Sequence, residues 1–145
     1  MKAILILCFF LMLASARAQI GATLAECIQR YGKPVASPGT TIPGGLYDFE
    51  KDDLHIGIGF FEGRVDYLLF SKVSPDPGEP QRLSEDELRR LLMASAGGHK
   101  WVIREGFENQ WVSDDGSLYA AKIISKGYLI IQTKEHSARA TPPTK

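Results

Sequence analysis

Cysteine is scarce in this chain, and of the two present, Cys8 and Cys27, the first lies in an apolar leader. Once that leader is cleaved, no intramolecular disulfide can form. Basic excess is missing too: 17 Lys and Arg face 17 Asp and Glu with no clustered run of either sign. Nucleic acids and anionic membranes both reward a basic face, so neither is expected as a partner. The longest apolar run, Ala3 to Ala14, falls short of the ~20 residues that a membrane-spanning helix needs. Also absent are a Gly-x-Ser-x-Gly elbow, an Asn-x-Ser/Thr glycosylation site and histidine spacings that gather metal ligands on one element. The glycine pairs Gly44-Gly45 and Gly57-x-Gly59 precede or lie within strand-like sequence, so they do not form a phosphate loop. No catalytic residue, cofactor or metal is therefore expected.

What is present begins with Lys2, the apolar run, and small residues at Ala16 and Ala18. This pattern predicts a cleavable secretory signal over 1–18, with cut near Ala18/Gln19 and a secreted or periplasmic product. Removing Lys2 and Arg17 leaves 127 residues with 15 basic against 17 acidic, a formal net charge of −2. Leu7 stands before Cys8, where lipid-attachment signals want a small side chain, so no stable membrane anchor is expected after cleavage. An exported chain without disulfides suits a bacterial periplasm.

Two helix starts are legible. Ser84 and Glu87 form a capping box with Leu83 and Leu88 as its hydrophobic staple; Leu88, Leu91, Leu92 and Ser95/Ala96 follow at helical spacing until Gly97-Gly98. Thr23 and Glu26 repeat the box, with Leu24, Cys27, Ile28 and Tyr31 as a buried stripe and Gly32 and Pro34 as the stop. Cys27 is thereby a core thiol, not a reactive one. Strand-like segments follow each helix: 46–50, 54–61 and 65–73, then 101–104, 110–112, 118–124 and 128–133, separated by turn residues. A shift of 64 positions puts Tyr47 on Trp111, Leu54 on Leu118 and Gly63 on Gly127. The expected fold class is α+β: two tandem α-β-β-β(-β) units, 19–73 and 81–135, forming one antiparallel sheet with the helices on one face. The Pro-rich stretch 74–80 joins them within a single domain, 19–135, and 136–145 is expected to be a disordered tail.

The residues Gly21-Ala22-Thr23, Glu26 and Gly32-Lys33-Pro34, followed by a three-stranded meander, resemble the small exported modules of the SmpA/OmlA family. Their tandem arrangement is similar to the beta-lactamase inhibitor protein fold. The resemblance implies an architecture and a habit of binding proteins. It transfers no partner and no site residue, and both the lipid-bearing Cys of the first family and the disulfides of the second are missing here.

Strand geometry leads to the same class of function. A two-residue turn at Glu62-Gly63 pairs Phe60 with Val65, Ile58 with Tyr67 and Ile56 with Leu69 on the helix-covered face. On the reverse face it pairs Phe61 with Arg64, Gly59 with Asp66, Gly57 with Leu68 and His55 with Phe70. Phe61, Leu68 and Phe70 then break the polar-out rule, and Trp111 and Tyr119 extend the patch. These five residues are the candidate partner-binding surface, for a protein of unknown identity. The alternative is that segment 33–45 or the connector covers them as ordinary core. A three-residue loop at 125–127 is preferred, which turns Lys122 and Gln132 outward; Trp101 reads as core. The acidic pairs Asp52-Asp53 and Asp114-Asp115 serve hairpin turns rather than a calcium site. A non-enzymatic binding or inhibitor-like module is the favoured function, a structural or envelope-maintenance protein the alternative, and an enzyme the least favoured.

Overall fold

The computed structural model describes residues 20–35, 46–74 and 81–140. The signal at 1–18, most of segment 33–45 and most of the Pro-rich connector lie outside these. The elements are α1 (Leu24–Tyr31), β1 (Leu46–Lys51), β2 (Leu54–Phe61), β3 (Arg64–Lys72), α2 (Glu85–Ser95), β4 (Trp101–Ile103), β5 (Gln110–Ser113), β6 (Leu118–Ile123), β7 (Tyr128–Thr133) and α3 (Lys134–Ala140). All seven strands join one antiparallel sheet in the order β1-β2-β3-β7-β6-β5-β4, so the fold is α+β and the last strands of the two meanders meet at its centre.

Both capping boxes are formed. Thr23 Oγ1 accepts from the Glu26 amide at 3.3 Å while a Glu26 oxygen accepts from the Thr23 amide at 2.7 Å. Ser84 and Glu87 repeat this at 3.2 and 2.8 Å. Each box satisfies amides that a helix start leaves without intrahelical partners. The helices α1 and α2 bury Cys27 and the pair Leu88 and Leu92 against Phe49, Ile58, Leu68, Phe70, Leu129 and Ile131, which are fully enclosed on one face of the sheet. Ile28, expected in the buried stripe of α1, is instead exposed at the helix margin. Trp101, expected as core, packs partly buried against it: its indole Nε1 donates to the Leu92 carbonyl near the end of α2, 2.6 Å away. Two ion pairs, Lys72 to Glu87 and Lys122 to Glu85, fasten the first turn of α2 to the sheet.

The turn at Glu62-Gly63 has positive φ at both residues (50° and 77°), as a two-residue hairpin of this hand requires, and Phe61 pairs with Arg64. The expected register ends one step later. Between Gly59 and Phe60 the ladder shifts, so that Gly59 faces Tyr67 and Ile58 faces Leu68. Asp66 is the extra residue of a β-bulge, and because side chains alternate with period two, the bulge exchanges the faces of everything beyond it. Leu68 and Phe70 therefore point at the helices with no exposed surface, while Tyr67 and Leu69 take the reverse face. The expectation that Leu68 and Phe70 offer a binding patch is corrected on this ground.

A second correction concerns Lys122. Ile123 pairs with Tyr128 across a four-residue loop, Lys122 faces Leu129 on the helix side, and Gln132 alone of the two points outward. The ammonium of Lys122 reaches the rim of α2 at Glu85, which makes the inward register tolerable. A third concerns the C-terminus: residues 136–140, expected as tail, belong to α3. Only 141–145 of that stretch lie outside the described residues.

The sheet's two edges differ. At β1 the amide of Val35 donates to the Asp48 carbonyl at 2.7 Å, a single bridge from the chain after α1 to that edge. At the opposite end no described residue pairs with the outer side of β4, where Val102 and Ile103 are exposed. Among the described residues no helix is long and apolar enough to cross a membrane.

Candidate functional site

The reverse face is built in rows across the sheet. Gly59, Tyr67, Gln132, Tyr119 and Val112 lie side by side on β2, β3, β7, β6 and β5, and Gly57, Leu69, Ile130, Ala121 and Gln110 form the next row. Neither row is clean core or clean surface; Tyr67, Leu69, Tyr119, Ile130 and Gln132 are all half-buried. Both glycines of these rows are buried. A Cβ at Gly59 would meet the Cβ of Tyr67 at 3.1 Å, and Leu46 closes the other side.

Across these rows lies α3. Thr133 Oγ1 accepts from the His136 amide at 3.0 Å and so caps the helix at the point where β7 ends. No residue of α3 is fully buried, and polar contacts hold it to the sheet instead. Their centre is Asp66, which is 8 % exposed on the bulge. Its Oδ2 lies 3.1 Å from His136 Nδ1 and also accepts from the Arg139 guanidinium. The His136 imidazole stacks on Tyr67 with centroids 4.9 Å apart, and Arg139 lies 3.7 Å over the ring of Phe61. Burial pushes the Tyr67 phenol above its ordinary pKa. A bulge re-aims the side chain it carries, and here it gives one buried carboxylate two cationic or cation-capable partners from a single helix.

The helix divides the face into two hollows. The smaller, about 210 Å³, lies among Leu46, Gly59, Phe61, Tyr67, His136 and Arg139. The larger, about 460 Å³, has Ala121 and Ile130 in it with Tyr119, Gln110, Gln132, Arg104, Lys134 and Ser137 around them. Its size lies in the range of small-ligand and side-chain pockets.

Of the five residues read as a partner surface, Phe61 borders the smaller hollow, 45 % exposed at the end of β2, and Tyr119 lines the larger. Trp111 borders the larger hollow as well, yet its register with Ala120 places it on the helix side, packed against the core. Leu68 and Phe70 are in the core. The structure thus parts the five into two hollows and an interior. Asp66, Tyr67, Arg104, Gln132, Lys134, His136 and Arg139 are not among the five, although the sequence reads Gln132 as facing outward. A Thr cap at 133 followed by seven residues free of Gly and Pro was the available signal for α3.

Other clusters serve local structure. His99 faces Asp114 at 3.3 Å and Asp115 at 3.6 Å, and these three exposed residues could offer a metal three ligand atoms within 4.8 Å. Asp115 already accepts from the hydroxyls of Ser113 and Ser117 and from the Ser117 amide, bonds that pull its carboxyl down to about 2 and shape the β5–β6 turn. Cys27 is 2 % exposed, and burial pushes its thiol up, away from the reactive thiolate.

No protein-family model matches the chain, and no curated protein is significantly similar to it. Among solved structures it is similar to a cysteine-rich secretory protein from Staphylococcus aureus, with 14 % identity and a TM-score of 0.47 over 83 % of this chain and 46 % of that one. It is also similar to a DUF4309 family protein from Bacillus subtilis, with 12 % identity and a TM-score of 0.42 over 78 % and 79 %. The chain spans less than half the length of the staphylococcal protein.

Proposed function

We propose that this protein is an exported, non-enzymatic binding module that takes a protein partner on the reverse face of its sheet, at the larger hollow. The observation that carries the reading is the half-buried group of Tyr119, Gln132 and Ile130, on two adjacent rows, beside a hollow of about 460 Å³. Aromatic and amide side chains around an apolar floor are the composition of a protein-binding centre. Export rests on the leader pattern at Lys2, the apolar run and Ala16-Arg17-Ala18. The resemblance to exported binding modules agrees with both parts.

A photo-crosslinking side chain at position 119 tests the reading in the exporting cell, with position 93 as control because Met93 is 72 % exposed on α2, on the other side of the sheet. The expected result is one discrete adduct from position 119 and none from 93. Absence of any adduct from positions 119, 132 and 137 would overturn it. With the partner in hand, Tyr119→Ala should weaken binding by roughly tenfold or more while leaving the melting temperature nearly unchanged.

The pairing of His136 with a buried acid supports a second reading, a hydrolytic enzyme with His136 as an oriented general base. The same acid also binds Arg139, which is the arrangement of a clamp. Loss of α3 from the sheet on substitution of Asp66, with no turnover of ester or peptide substrates by the intact protein, decides for the clamp.

A further inference from the structure

We infer that the larger hollow receives an acidic side chain of its partner, an Asp or Glu flanked by an apolar residue. This deepens the binding reading above and rests on it. Two cations, Arg104 and Lys134, border the hollow, and among the described residues no Asp or Glu lines it, in a chain with as many acids as bases. The neutral polar groups there reinforce the bias. Arg104 Nη1 donates to Gln110 Oε1 at 3.1 Å, so the amide of Gln110 has its oxygen engaged and its two N–H groups as the remaining offer. Only one guanidinium donor is spent in that bond, and the Arg104 plane lies 4.9 Å over the Phe107 ring. A guanidinium held in place loses little freedom on meeting a carboxylate and can bind it with two parallel bonds. Asp66, which lines the smaller hollow, is already matched by Arg139 and His136. Beside the cations, Ala121 and Ile130 give an apolar residue of the partner a place to lie.

The test uses the mature chain and a capped peptide in which two glutamates flank a phenylalanine, compared with its lysine and glutamine counterparts, followed by amide NMR titration. The glutamate peptide is expected to shift the amides of Tyr119, Ala121 and Ile130, with affinity falling as salt rises. Charge reversal at Arg104→Glu with Lys134→Glu should weaken it by on the order of tenfold, and Arg104→Gln by less. Both positions are exposed, so the variants should keep the wild-type spectrum elsewhere. Equal binding of the lysine or glutamine peptide at these amides overturns the acidic specificity and leaves the binding reading standing. If no peptide moves these amides the inference falls, and the crosslink at position 119 judges the binding reading by itself.

Discussion

Glu87 does two tasks with one carboxylate. It closes the capping box of α2 and meets Lys72 of β3 at 2.5 Å, and these bonds, the one from Lys72 first, hold its carboxyl down to about 2. A depressed carboxylate adds stability that is complete above its unfolded value, about 4.3. That stability erodes as pH falls from there toward 2. Thermal melts between pH 7 and pH 2.5 should show Glu87→Gln less stable than wild type at neutral pH, with the gap narrowing in acid; a constant gap would count against the linkage. Leu68 and Phe70 show how much hangs on a residue's face. As enclosed core side chains, Leu68→Ala should cost about 2–5 kcal/mol and Phe70→Ala about 3–5 kcal/mol in urea unfolding. An exposed binding patch would lose almost nothing.

At the scale of elements, the bulge and α3 belong together, because Asp66 on one holds His136 and Arg139 on the other. Asp66→Ala should release α3 while the sheet and the two larger helices persist. Hydrogen exchange checks this: amides of 136–140 should lose protection and those of β3 and β7 should keep it. Both capped helices and every strand could be read in the sequence, since caps, glycine stops and alternating apolar residues are local signals. The bulge could not. Val65, Tyr67 and Leu69 make as good an apolar alternation as Leu68 and Phe70, so the apolar pattern does not choose between the two registers. One extra residue on a strand is invisible to such a pattern, so two of the five proposed contact residues landed in the core. The helix α3 escaped notice for the opposite reason. It has almost no apolar stripe, and its contacts come from residues about seventy positions away in sequence.

For the molecule as a whole, composition and periodicity lead directly to a single antiparallel sheet with α1 and α2 on one side. The far side could be foreseen as neither core nor water-facing, and Tyr119 and Phe61 were legible as part of it. Its division by α3 was not, nor was the concentration of Arg104 and Lys134 around one hollow, because charge patterns of this kind depend on which loops the fold brings together. One further property follows from the sheet's margins. The Val35 amide meets the rim at β1 through one bond to Asp48, and the described chain leaves the rim at β4 bare with Ile103 62 % exposed. A bare rim can recruit a neighbouring strand. When that neighbour is a second copy meeting it rim to rim, the contact closes on itself, so crowded solutions should yield pairs in light scattering.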